Sequence, residues 1–157
     1  MRKSRLGLED NARTAAVELL QSVMFDTLDL RLAVKQAHWN VTGPRFQQLH
    51  LLFDTFVAPL DAEIDTMAER IATLGGKPDG RSGAIASGTD LDAYPDATGG
   101  NAHIAALADR FAAVGDKTRK GIDEADEIGD ADTADILTAT SRFLDQSLWF
   151  LEAHLEE

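Results

Sequence analysis

Two histidines and a series of carboxylates are the residues of this 157-residue chain best suited to chemistry: His38, His50, Asp54, Asp61, Asp65 and Glu69. Imidazole and carboxylate without thiolate suit iron, manganese or zinc better than copper(I), and the mixed nitrogen and oxygen donors suit calcium or magnesium less well. Donor type alone does not choose among the first three. On one helix, His50, Asp54, Asp61, Asp65 and Glu69 would stand at roughly 0°, 40°, 20°, 60° and 100°, with the apolar side chains clustered near about 280°. Carboxylates at i,i+4 repel and weaken a helix. Asp61, Asp65 and Glu69 therefore carry a cost that a cation, or a basic residue of a neighbouring chain, would offset. The plainer reading of such a stripe is solvated surface, and the plainer reading of His38 alone is a satisfied residue at the edge of a core. With His50 and Asp54 beside it, ligation of a metal competes with both.

Reach adds a constraint. Asp65 and Glu69 follow His50 by 15 and 19 positions, about 22 and 28 Å along a straight helix. They cannot join His50 at one ion within one chain. If all five residues serve one site, two copies must meet across an antiparallel two-fold contact, and that contact holds two equivalent sites. A di-iron bundle with its site inside one chain would use Glu-x-x-His pairs, and the chain has none.

The elements that would position these residues are helical. Leu19, Leu20, Val23, Leu30, Val34 and Ala37 recur with a helical period between Asn11, a plausible N-cap, and Asn40, and Val41–Pro44 ends the segment. Asp26 falls within that apolar arc, as a satisfied buried acid or, the preferred reading, part of a subunit contact. A second helix is expected from Pro44 to Leu74, carrying Phe53, Phe56, Val57, Leu60, Ile64, Met67, Ile71 and Leu74 and ending at Gly75-Gly76. From Gly75 to Gly100 the chain is rich in Gly, Ser, Asp and Pro, an unusually long joint, with a short helix expected at Arg81–Ser87. A third helix begins near Asn101 and fades into the acidic run Asp123–Asp132. A fourth begins near Asp132, with Asp135 completing a capping box, and carries Leu137, Leu144, Leu148, Leu151 and Leu155. Two hairpins joined by a long crossover give an all-α, ferritin-like four-helix bundle, with residues 1–10 as a short flexible arm and 11–157 as the bundle.

Composition narrows the classes. With no Cys, disulfides, iron–sulfur clusters and thiol nucleophiles are excluded. A formal net charge of -12 argues against a broad basic nucleic-acid groove. No apolar run spans a bilayer or follows the basic start as a signal peptide would, so the chain reads as cytoplasmic and without a membrane partner.

The run K-Q-A-H-W-N-V-T-G-P-R-F-Q-Q-L-H-L-L-F-D (Lys35 to Asp54), the run D-T-M-A-E-R-I-A-T-L-G-G-K-P-D-G (Asp65 to Gly80) and the tail from Thr133 to Leu155 resemble the Dps family of miniferritins over nearly the whole chain. The resemblance implies a ferroxidase centre between two-fold related subunits, with His38, His50 and Asp54 from one chain and Asp65 and Glu69 from the other. Asp65 and Glu69 would hold the tighter iron. It implies a hollow homo-dodecamer with two-fold and three-fold contacts that oxidises ferrous iron with hydrogen peroxide or oxygen and stores ferric mineral, with zinc or manganese as competitors. Trp39 resembles the family's tryptophan near that centre. Asp123, Asp126 and Asp130 would line three-fold pores for iron, and Asp61 is a candidate for the inner wall. Some members bind DNA through basic tails. Here Arg2, Lys3 and Arg5 are the candidate DNA contacts, which would make the protein nucleoid-associated. The alternatives are an architectural DNA-binding protein with a secondary iron site, and a redox-inactive zinc or manganese oligomer. Arg70 reads as a structural partner for nearby acids, and Trp149 as a packing or interface residue.

Overall fold

A computed structural model describes residues 1–156, and the described residues are helical, with no strand. The helices are α1 (Asp10–Asn40), α2 (Phe46–Thr55), α3 (Val57–Thr73), α4 (Ser82–Gly88), α5 (Gly100–Ile128) and α6 (Ala131–Glu152). Helices α2 and α3 form the expected second helix with a bend at Phe56. Pro59 supplies the reason: it has no N–H for the Thr55 carbonyl and its ring crowds that turn. The α-type ladder resumes where Leu60 N–H donates to Phe56 O at 3.1 Å. The four bundle helices are thus α1, bent α2–α3, α5 and α6, with α4 in the crossover packed on α1. No helix is long and apolar enough to cross a membrane among the described residues.

Two apolar clusters fill the bundle. One gathers Leu30, Val34, Leu49, Phe53, Leu60, Phe111 and Leu144 at the end that carries the histidines. The other gathers Leu20, Val23, Met67, Ile71, Leu74 and Leu137 at the opposite end. Helix α3 stops in a Schellman ending, with Gly76 N–H donating to Ile71 O and Gly75 N–H to Ala72 O. Gly75 is required twice, by its φ of 96° and because a Cβ would lie 2.5 Å from Arg2 O. Arg2 is docked there: its N–H donates to Gly75 O at 2.7 Å, and its guanidinium donates to Ala72 O at 2.9 Å. Buried Arg13 donates to Leu74 O at 2.9 Å and to Arg2 O at 3.4 Å.

Helix α2 starts at Phe46 rather than Pro44, α6 ends at Glu152, short of Leu155, and three further boundaries differ from the sequence expectation. Helix α1 begins at Asp10, with Glu9 rather than Asn11 at its N-cap position. Helix α5 does not fade at Asp123. It runs to Ile128, because Gly129 at φ 82° closes a second Schellman ending. Helix α6 is capped by Asp130, not Asp132: the Asp130 carboxylate accepts from Thr133 N–H at 3.3 Å and from the Thr133 hydroxyl at 2.6 Å. Asp26 is a satisfied buried acid within its own chain, not a subunit contact. It pairs with Lys117 at 2.9 Å and accepts from Asp90 N–H at 2.8 Å, tying the crossover to α1 and α5.

The crossover is pinned a second time by buried His103, whose Nδ1 lies 2.8 Å from the Tyr94 hydroxyl. Burial pushes the Tyr94 hydroxyl up to about 12 and lowers His103 below the ordinary 6.5, so the phenol donates to a neutral imidazole. Arg110 lies over the Tyr94 ring, 5.2 Å from its centroid. The unfolded chain takes up this proton more readily than the folded one. Its contribution to stability is therefore full above about pH 6.5 and is lost as the pH falls below it. Replacing His103 by Gln should flatten the fall in melting temperature between about pH 7 and 5. An unchanged slope would assign the acid sensitivity to other groups.

Candidate metal centre

The last turns of α1 and the first turns of α2 are held together by two histidines that exchange hydrogen bonds. His38 Nδ1 lies 2.7 Å from His50 O, and His50 Nδ1 lies 2.8 Å from His38 O. The rings stack at a centroid distance of 3.7 Å. A carbonyl only accepts, so each Nδ1 carries a proton, and Nε2 is the nitrogen left to offer a lone pair to a metal. That is the arrangement a metal-ligating histidine needs, with the second nitrogen fixed by a backbone partner. His38 Nε2 is 4.0 Å from Asp54 Oδ1.

The histidine pair is the first rung of a ladder. On α1, Arg31, Lys35 and His38 share a face at i, i+4 and i+7. They meet Asp61, Asp54 and His50 respectively on the antiparallel bent helix. Lys35 Nζ lies 2.9 Å from Asp54 Oδ1. Arg31 donates twice to Asp61, at 2.9 and 3.2 Å. The cation expected to offset the acidic stripe is thus supplied within the chain for Asp54 and Asp61, and Asp61 is committed to Arg31. Lys35, with smaller help from His38 and His50, holds the Asp54 carboxyl below its ordinary range against partial desolvation. The ladder ends there. Met24 and Leu28 continue α1 toward the far end, and exposed Asp65 and Glu69 have no ion pair or side-chain hydrogen bond among the described residues.

One chain therefore gathers His38, His50 and Asp54, and places Asp65 and Glu69 farther along the same bent helix. Among the described residues, no three His, Asp or Glu side chains converge closely enough to hold an ion. Exposed Trp39 and Phe46 border the histidine pair, Trp39 being 67% exposed and Phe46 lying 5.2 Å from the His50 ring. Apolar aromatics so exposed beside a polar site are what a second chain would cover.

The expected pore residues separate. Asp123 and Asp126 are exposed on the last turns of α5. Asp130 is 2% exposed and bonded to Arg70 at 2.5 Å as well as to Thr133. Within the chain this carboxylate caps a helix and pairs with Arg70, engagements that its expected place at a pore would have to accommodate. Arg70 has the structural role read from the sequence, pairing also with Asp132 at 3.2 Å. In the arm, Lys3 and Arg5 are exposed, while Arg2 is engaged at the end of α3. Trp149 is 61% exposed and stacks only obliquely on Phe150. Lys35 and Arg31 are the residues that sequence reasoning missed, although their spacing from His38 was a readable signal.

Comparison with known proteins agrees with this architecture. A family model described as a ferritin-like domain matches residues 17–157. The chain is 47% identical over 156 residues to the DNA protection during starvation protein of Agrobacterium fabrum, covering 99% of this chain and 96% of that one. It is 38% identical over 151 residues to the protein of the same name from Mycolicibacterium smegmatis, covering 96% and 82%. A solved structure of Mycobacterium smegmatis Dps superposes with a TM-score of 0.94 at 36% identity, covering 99% of this chain and 95% of that one.

Proposed function

The chain belongs to the Dps family of ferritin-like proteins, and from that premise we propose that it oxidises ferrous iron at sites shared between two-fold related subunits and stores the ferric product in a hollow dodecamer. The observation that carries this reading is the division of the ligands. A histidine pair with both Nε2 atoms available stands with Asp54 at one end of the bent helix, and two unpaired acids stand too far along it to share an ion. An antiparallel two-fold contact brings Asp65 and Glu69 of one chain to His38, His50 and Asp54 of the other, and the exposed Trp39 and Phe46 supply apolar area for the joint.

The chemistry follows from the donors. Anionic oxygens stabilise ferric over ferrous iron, because each gains more from the higher metal charge. Carboxylate ligation at Asp65 and Glu69 thus favours oxidation. Hydrogen peroxide takes two electrons, one from each of two ferrous ions, and two protons, giving two waters. Paired delivery avoids the single-electron step that releases hydroxyl radical. Protection of DNA, named for the relatives, then rests first on removing iron and peroxide together. The net charge of -12 and the engagement of Arg2 leave Lys3 and Arg5 as the arm's contribution to direct contact. Asp123 and Asp126 remain the carboxylates that would concentrate ferrous ions at a pore, and the acidic shell suits a cytoplasmic store of mineral.

Anaerobic ferrous titration of the metal-free assembled protein tests the reading. Two shared sites in each two-fold pair amount to one per chain, so binding should saturate at one tighter and one weaker ion per chain. Added peroxide should then be consumed at about one per two ferrous ions. Saturation without oxidation would favour a redox-inactive metal oligomer instead.

A further inference from the structure

The bend of the second bundle helix falls between the two halves of the proposed site. His50 and Asp54 stand on α2, and Asp65 and Glu69 stand on α3, beyond the break at Phe56. We propose that Pro59 is a positioning residue, whose bend sets the angle at which two copies cross and so brings the acids of one chain onto the histidines of the other. This rests on the shared-site reading above.

In an antiparallel two-fold contact, facing residues run in opposite order along the two chains. Setting His50 opposite Glu69 and Asp54 opposite Asp65 puts the point where the helix meets its own copy midway between Pro59 and Leu60. The bend therefore lies at the crossing itself. On the same exposed stripe, Ala58 would face Asp61 of the other chain, a carboxylate already held by Arg31. A short side chain at that point admits close approach. Pro59 is the only Pro or Gly between Phe46 and Thr73, so no other residue breaks this helix. Buried Phe56 and Leu60 anchor the two sides of the break in one apolar cluster, so the helix pivots there rather than slides. The lever arms are long. Asp65 and Glu69 lie 6 and 10 positions past Pro59, about 9 and 15 Å along the helix. Turning that segment by about 20°, a modest helix kink, would carry them about 3 and 5 Å. A misplacement of about 1 Å can already cost a hundredfold in rate.

Pro59→Ala and Pro59→Gln restore the N–H that the Thr55 carbonyl lacks, and both favour a continuous helix. In the assembled protein, each should keep a urea midpoint no lower than native and slow peroxide-driven ferric formation at least about tenfold at saturating iron. Co(II) bound without oxidant should change its visible absorption in both variants, because the ligands of two chains no longer converge. A proline that only shaped the fold would move the midpoint and leave that absorption alone. The crossing is read separately, since the chain has no Cys. A short bis-maleimide should join chains of the shell into covalent dimers through Ala58→Cys. It should not do so through Glu69→Cys, whose two copies would stand about 28 Å apart along the helix. Native rate and absorption in both Pro59 variants, or a lowered urea midpoint or lost shell, with dimers still formed through Ala58→Cys, overturns the role of Pro59 alone. Dimers through Glu69→Cys and none through Ala58→Cys would displace the crossing and take the shared-site reading with it.

Discussion

Replacing His38 and His50 together by Ala should slow peroxide-driven ferric formation at least about tenfold while the shell stays assembled. Disturbing the groups that merely orient a metal's ligands costs about ten- to a hundredfold, and removing ligands costs no less. The two rings also join α1 to α2 by exchanged hydrogen bonds. Light scattering must therefore accompany the rate, read by rapid-mixing absorbance. Glu69→Gln, a substitution on exposed surface far from the histidines, should give a comparable loss. Two separate regions of one chain failing alike is what a site divided between chains requires. A rate unaffected by the double substitution would leave the histidine pair as a helix joint and nothing more.

The largest effect on stability should come from Asp130→Ala. Asp130 is 2% exposed, caps α6 through Thr133 and faces Arg70, itself 10% exposed in its side chain. Removing one partner of a buried pair costs about 3–5 kcal/mol, because the other charge is left without compensation. Asp132 remains on Arg70 at 3.2 Å and offsets part of that, so the expected loss is about 3 kcal/mol. The matching change Asp132→Ala, on a side chain 77% exposed, should cost under about 1 kcal/mol. Urea midpoints of the two variants under identical conditions make the comparison, and equal shifts would contradict the assigned cap and pair. Iron access through a pore is better probed at Asp123 and Asp126, whose exposed carboxylates carry no such burden.

Helical periodicity and Gly punctuation made the bundle legible, since the apolar arcs of α1, α3, α5 and α6 are local features. The short helix at Ser82–Gly88 was legible too, from the length the joint had to cross. What escaped was tertiary. The caps of α6 depend on where Gly129 turns the chain, which moved the cap from Asp132 to Asp130. The bend at Phe56 was written in Pro59, but a long apolar stripe hid it. Asp26 looked like an interface acid because Lys117, its partner, lies far along the sequence. The acidic stripe showed a need for positive charge, while Arg31 and Lys35 became its source only once α1 lay antiparallel to α2 and α3. Asp65 and Glu69 stand out in the structure because that supply ends before them.

Each site should take its histidines from one chain and its acids from another. Assemblies carrying only the double-His replacement and assemblies carrying only Glu69→Gln are dissociated, mixed in equal amounts and reassembled, with subunit exchange verified by mass. Each mixed two-fold pair then holds one intact site, built from His38 and His50 of the Glu69→Gln chain and Glu69 of the double-His chain. Random pairing should restore about a quarter of the native sites, and ferric formation should recover accordingly while neither parent alone recovers. No recovery despite verified exchange would mean that these residues do not meet across a two-fold contact, and the shared ferroxidase centre would have to be abandoned.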